Sequence, residues 1–240
     1  MISKFKIAIV GIGGVGGYLG GKLAAQYVNS NDTEIIFIAR GENANVIRSN
    51  GLELITAQGT QTAYPSLVTN DPETLEVIDL IICCVKSYDL VQAIEPFRNC
   101  INDKTIILPF LNGLDASDTI KNIFPEANIL DGCAYIISKL IAPGVVKVTG
   151  DISQFYFGMK HEIAESLEKV VSIFKKADIN IQLSDGISQV LCEKFLFISP
   201  FATLTSCLDL CLGDILKDKH YKEALINLLT ELKTVAEGRV

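Results

Sequence analysis

The sequence predicts an α/β chain: an N-terminal doubly wound parallel sheet followed by an all-helical second domain. Three observations carry that prediction. An apolar run, Phe5-Lys6-Ile7-Ala8-Ile9-Val10, drops straight into Gly11-Ile12-Gly13-Gly14-Val15-Gly16-Gly17-Tyr18-Leu19-Gly20 and then into a helical pattern. Further apolar strand-like runs alternate with helical stretches through the first part of the chain, and nearly everything over 187–237 reads as helix. With 240 residues and 49% hydrophobic content, the chain is long enough for two cores. The boundary falls near residue 184, where Ser184-Asp185-Gly186 reads as a helix start, giving domains 1–183 and 184–240.

The first strand, turn and helix carry the most chemistry. A strand that runs into GxGxxG and opens a helix is the Rossmann-type arrangement for a dinucleotide. Gly11 permits the tight turn, Gly13 lets the backbone approach a pyrophosphate, and Gly16 lets the helix pack on the strand. The helix N-terminus adds amide donors and a positive dipole end, so Gly11, Ile12, Gly13, Gly14, Val15 and Gly16 are the candidate cofactor contacts. The next strand, 34–38, ends in Ala39-Arg40-Gly41, where an NAD-binding member of this architecture carries Asp or Glu for the ribose 2′-hydroxyl. A guanidinium there suits a 2′-phosphate, so Arg40 points to NADP(H). A solvated arginine would read the same way, and nearby Glu42 keeps NAD open.

Strands over 80–85, 105–108 and 128–133 continue the parallel sheet, separated by helices near 89–97 and 115–123. Two loops follow at the carboxyl ends of strands, where open α/β sheets bind ligands: Val85-Lys86-Ser87 and Leu111-Asn112-Gly113. Lys86 is suited to a phosphate or carboxylate, and Asn112 to a ribose and a substrate, although a solvated lysine and a plain Asn-Gly turn fit the same letters. Segments 145–149 and 154–157 alternate around Gly150-Asp151 as an antiparallel addition. A helix over 162–176 and a short strand over 179–183 complete the first domain.

In the helical part, Ile187, Val190, Leu191, Lys194, Phe197, Ile198 and Phe201 form an i, i+3, i+4, i+7 stripe with a lysine on its core-facing side. A buried ammonium must be paired or face a polar cleft, and burial moves its pKa toward values useful for proton transfer, which suits a general acid. A lysine snorkelling from the edge of the stripe is the plainer alternative.

A net charge of −7 and a pI of about 4.9 leave no basic stripe for nucleic acid. No apolar stretch is expected to reach the roughly twenty residues of a membrane span, and the N-terminal run is too short for a signal peptide, so a cytoplasmic protein is expected. The seven cysteines, an odd number mostly within apolar segments, read as reduced core residues. Cys207 and Cys211 are spaced to share a helix face, but no further Cys or His completes a metal set, and His161 and His220 sit in charged surroundings.

The glycine-rich turn, Val85-Lys86-Ser87, Leu111-Asn112-Gly113 and Cys192-Glu193-Lys194-Phe195 together resemble the ketopantoate reductase family in order and spacing over the whole chain. Pro143-Gly144-Val145-Val146 is similar to that family's hairpin after the nucleotide domain, and Leu204-Thr205 to its leucine-threonine pair. The resemblance implies a second domain like the C-terminal domain of 6-phosphogluconate dehydrogenase, and NADPH-dependent reduction of 2-dehydropantoate to pantoate, a step toward pantothenate. It also implies Lys194 as general acid, with Lys86 and Asn112 contacting cofactor and substrate. Two departures stand out. Ile198 occupies the place of a family asparagine one turn after the lysine, with Ser199 beside it as a partial substitute for a substrate contact. The sequence stops at Val240 in what reads as mid-helix, where the family continues through helices carrying a serine and a glutamate, so either a shortened member or one whose partner supplies those residues is expected. Reduction of another small 2-keto acid, or non-catalytic NADP(H) binding by a shortened relative, are the alternatives, and a homodimer stays open.

Overall fold

The β-branched, apolar run at the N-terminus forms the centre of the sheet. In the computed structural model, which describes residues 4–159 and 164–237, strand β1 (Phe5–Val10) leads through the glycine turn into helix α1 (Gly14–Tyr27). There follow β2 (Thr33–Ile38), α2 (Gly41–Asn50), β3 (Leu52–Thr56), β4 (Gly59–Ala63), β5 (Leu67–Thr69), β6 (Leu80–Cys83), α3 (Leu90–Ile94), β7 (Ile106–Pro109), α4 (Ala116–Ile123) and β8 (Asn128–Ile129). Then come β9 (Asp131–Ala142), β10 (Val145–Gly158), α5 (Ala164–Lys176), β11 (Ile181–Leu183), α6 (Ile187–Leu208), α7 (Leu212–Lys217) and α8 (Lys219–Glu237).

Six parallel strands form the main sheet in the order β5-β2-β1-β6-β7-β8, the doubly wound order that reverses between β1 and β6. Its central strands are buried on both faces, so their residues alternate between two cores. Ile7, Ile9, Ile35, Phe37, Leu80 and Ile82 face α1 and the second sheet; Ala8, Val10, Ile36, Ile81 and Ile107 face the layer that holds Leu90, Phe97, Ile120 and Phe124.

The second sheet departs from expectation. It has five strands, with β3–β4 an antiparallel hairpin, β3 and β11 both parallel to the long β10, and β9 antiparallel to it. The run 128–133 is therefore two elements: Leu130 still bonds the carbonyl of Ile107, after which the chain leaves the parallel sheet at Asp131, which is buried and accepts a hydrogen bond from Ser117. Gly150-Asp151 is not a turn either. The reversal falls at Pro143-Gly144, between β9 and β10, and the Thr149–Ser153 stretch is absorbed as a register shift within one strand, with Gly150 at φ +79°. The 89–97 helix is broken into α3 flanked by 3₁₀ turns at Ser87–Asp89 and Glu95–Cys100, the second entered through Pro96.

The chain divides into two compact units, Met1–Ile187 and Ser188–Val240. Within the second, Leu204, Ile215 and Leu225 form a small core edged by Phe201, Leu208 and Leu228. The helical reading of 187–237 is interrupted twice, and Cys207 and Cys211 do not share a helix: α6 stops at Leu208, Asp209 takes φ +52°, and Cys211 precedes α7 in extended conformation. Both thiols are exposed rather than core. At 22 residues with Glu193 and Lys194 as its only charges, α6 is long and apolar enough to span a bilayer, contrary to the sequence expectation; core helices of soluble proteins meet the same criterion.

Candidate active site

The turn after β1 has the shape its glycines predict. Gly11 sits at φ +91° and donates its N–H to the Ile38 carbonyl at 3.1 Å, and a Cβ there would come within 2.6 Å of Val85 Cγ1. Gly16 lies against the Gly11 carbonyl and Cys84, which brings α1 down onto β1, and Gly14 lies against the Ser138 carbonyl of β9. Gly13 differs. Nothing approaches within 4 Å of the position a Cβ would take. No side chain caps α1 and its first turn holds no acidic residue, so first-turn amides that lack an intrahelical acceptor meet an open space beside Gly13. That combination fits an anionic pyrophosphate.

The other candidates of the first unit gather at the same sheet edge. Four adjacent parallel strands end there, with Arg40 after β2, the glycine turn after β1, Lys86 after β6 and Asn112 after β7. Arg40 takes the N-cap position of α2 in extended conformation, and Arg40, Lys86 and Asn112 are all exposed. Gly113 at φ +107° lets the chain double back behind Asn112.

Beneath them Cys83 is a buried thiol and Cys84 a half-buried one. Burial pushes Cys83 up to about 12, and burial together with its neighbour raises Cys84 well above the ordinary thiol value, so neither is a nucleophile near neutrality. A cavity of about 540 Å³ elsewhere in the first unit is lined by Tyr18, Lys22, Gln58, Ser153 and Asp178, and by none of the predicted site residues.

Lys194 and Ser199 belong to the second unit, on α6. Lys194 is only 8% exposed, whereas Phe197 on the same stripe is 58% exposed, so of that stripe Ile187 and Lys194 are the fully buried members. Ser199 and Ile198 are half-buried, and the Ser199 carbonyl accepts from Thr203 Oγ1 at 2.8 Å. His220 is exposed in α8 and His161 lies outside the described residues; among those residues no cluster of His, Cys, Asp or Glu is placed to hold a metal.

Sequence reasoning missed Asn43. Its amide, in the first turn of α2, donates to the Ile12 carbonyl at 3.0 Å and accepts from the Gly144 N–H at 2.7 Å. An Asn just inside a helix start is a common letter, and its partners are 31 and 101 residues away.

A six-stranded doubly wound sheet with an uncapped glycine turn at its reversal point defines a Rossmann-type α/β protein, here followed by a helical unit. The ketopantoate reductase PanE/ApbA family model matches residues 7–162. An uncharacterized oxidoreductase of Bacillus subtilis, YkpB, is 30% identical over 231 residues, covering 96% of this chain and 74% of that protein. The 2-dehydropantoate 2-reductase of Pyrococcus abyssi is 27% identical over 237 residues, covering 97% and 72%. The crystal structure of 2-dehydropantoate 2-reductase from Porphyromonas gingivalis W83 superposes with a TM-score of 0.87 at 32% identity, covering 96% of this chain and 80% of that one. The chain belongs to the ketopantoate reductase family, oxidoreductases that act on a small keto acid. The same fold, at TM-score 0.85 and 24% identity, occurs in a D-mandelate dehydrogenase whose structure holds NADH and anilino(oxo)acetate.

Proposed function

We propose that this protein reduces 2-dehydropantoate to pantoate with NADPH, in the cytoplasm. The observation that carries the reading is Lys194, an ammonium 8% exposed on an apolar helix, which the resemblance to the family makes the general acid. Bound NADPH supplies the hydride that attacks the ketone carbon. The residues of the chain bind, orient and protonate. Gly11 to Gly16 and the first-turn amides of α1 hold the pyrophosphate, and Arg40 holds the 2′-phosphate through charge-assisted hydrogen bonds. Lys86 and Asn112, at the ends of β6 and β7, contact the reacting end of the cofactor and the substrate. The Lys194 ammonium donates a proton to the oxygen as negative charge develops on it, leaving a neutral amine that recovers its proton from solvent. Ser199 supplies a substrate contact. Seven cysteines without a disulfide among them support a reducing compartment.

Ile198 favours a second reading. A half-buried isoleucine one turn after the lysine removes a polar substrate contact, which suits a more apolar 2-keto acid. The test is NADPH oxidation followed at the nicotinamide absorbance, with 2-dehydropantoate and a panel of 2-keto acids, for the wild type, Lys194→Ala and Lys194→Arg. Lys194→Ala is expected to lower kcat by about 10² to 10⁴ with NADPH affinity nearly unchanged. Lys194→Arg should not restore it, because a guanidinium holds its proton too tightly to act as an acid near neutrality. Full turnover by Lys194→Ala removes the lysine from the chemistry. Turnover of another keto acid in preference to 2-dehydropantoate selects the second reading, and NADPH binding without turnover of any keto acid selects a non-catalytic binding protein.

A further inference from the structure

The half-buried Asn43 amide makes two hydrogen bonds in opposite senses, and both partners are backbone. Its Nδ2 donates to the Ile12 carbonyl at 3.0 Å, inside the Gly11–Gly13 turn. Its Oδ1 accepts from the Gly144 N–H at 2.7 Å, at the tip of the β9–β10 hairpin. That tip is itself fixed. Gly144 holds φ +73°, its carbonyl accepts the Glu53 N–H at 2.8 Å, and a Cβ on it would meet Val46 Cγ1 of α2 at 2.6 Å. The amide is thus anchored on one side by the second sheet and is free to act only on the other, on the turn.

The consequence follows from peptide geometry. The Ile12 carbonyl and the Gly13 N–H belong to one planar trans unit and point in opposite directions. Holding the carbonyl toward α2 aims the Gly13 N–H away from α2. Gly13 is the glycine of the turn with open space where a Cβ would be, and its own freedom in φ lets the Ile12–Gly13 unit rotate if nothing holds it. Ile12 is buried at 4% exposure, so its carbonyl also needs a partner, and Asn43 supplies one.

We infer that Asn43 is a positioning residue for the dinucleotide: its amide locks the Ile12–Gly13 peptide so that the Gly13 N–H is preset as a donor to the pyrophosphate. This rests on the dinucleotide reading of the glycine turn. It also distinguishes two neighbours on α2, since Arg40 would recognise the 2′-phosphate directly whereas Asn43, three residues on, acts through the turn on the part that NADPH and NADH share.

The experiment is titration of the full chain with NADPH and with NADH by nicotinamide fluorescence, for wild type, Asn43→Ala and Asn43→Asp, well below the thermal midpoint of each. Asn43→Ala should weaken both dinucleotides by the same factor, about tenfold, the scale of one oriented hydrogen bond. Asn43→Asp keeps the acceptor for Gly144 but loses the donor to Ile12, and should lose at least as much. A lowered thermal midpoint with unchanged affinities would make Asn43 a structural brace only and overturn the inference. So would an Asn43→Asp protein that binds like wild type, or a loss confined to NADPH. Failure of the wild type to bind either dinucleotide would sink the reading of the turn, and this inference with it; wild-type binding with unaffected variants sinks this inference alone.

Discussion

At the level of single residues, charge type and burial divide the work. Arg40 is exposed at the N-cap of α2, and in the proposed function its guanidinium takes the 2′-phosphate. Arg40→Ala is therefore expected to narrow the NADPH-over-NADH preference by about 1.5 to 3 kcal/mol, the range of hydrogen bonds to charged groups. Competitive titration of the two cofactors measures it, and equal affinities in the unmutated protein would take Arg40 out of the site. The placement of Arg40, Lys86 and Asn112 was legible in the sequence because each closely follows an apolar strand, and chain direction alone puts such residues at the carboxyl edge of a parallel sheet. The burial of Lys194 was legible because a lysine interrupts an apolar stripe. Asn43 was not, since its meaning lies in two backbone partners brought to it by separate elements, and a polar letter in a first helical turn carries no trace of them.

At the level of elements, the glycines show how one motif serves packing and binding at different positions. Gly16 has the Gly11 carbonyl in the place a methyl would take and Cys84 Cβ at 2.9 Å from it, both parts of the sheet end that cannot swing aside. Gly16→Ala should lift the start of α1 and destabilise the fold by about 1 to 3 kcal/mol, the usual overpacking cost, seen as a lower denaturant midpoint with unchanged slope. Gly13→Ala meets nothing within 4 Å, so its stability should stay within about 0.5 kcal/mol of wild type while dinucleotide affinity falls. The opposite pattern, a destabilised Gly13→Ala that still binds, would show that the open side of Gly13 is not the ligand's approach. The parallel sheet was readable because buried strands are near-continuous apolar runs. The second sheet was not: β4, Gly59–Ala63, is mostly exposed and polar, and β10 hides a register shift where Gly150 suggests a turn. Its strands pair across long sequence separations, with β3 joining β10 at Glu53–Val145, and no local pattern encodes that partner.

At the level of the whole molecule, the two units are unequal in what holds them. Met1–Ile187 has an apolar core on each face of its parallel sheet, with Phe37, Phe124, Phe155, Phe157 and Phe174 fully buried. Ser188–Val240 buries Leu204, Ile215 and Leu225, while Phe197, Leu216, Ile226 and Val235 remain substantially exposed. A segment that small cannot remove enough apolar surface from water to offset the ordering of its backbone, since even domains of about 60 residues are marginal. The dinucleotide candidates lie in the first unit and the proposed proton donor lies in the second, so binding and chemistry should separate on dissection. A chain of residues 1–187 is expected to unfold cooperatively and to bind NADPH within a fewfold of the intact protein, yet to oxidise none with any keto acid. Residues 188–240 alone should show little helix by circular dichroism and no cooperative melt. Calorimetry and fluorescence titration on the two fragments decide it. If 1–187 fails to bind although it folds, part of the cofactor site must come from the helical unit; if 1–187 turns over a keto acid, Lys194 is not the acid, and the donor must be sought at the carboxyl edge of the sheet, where Lys86 follows β6.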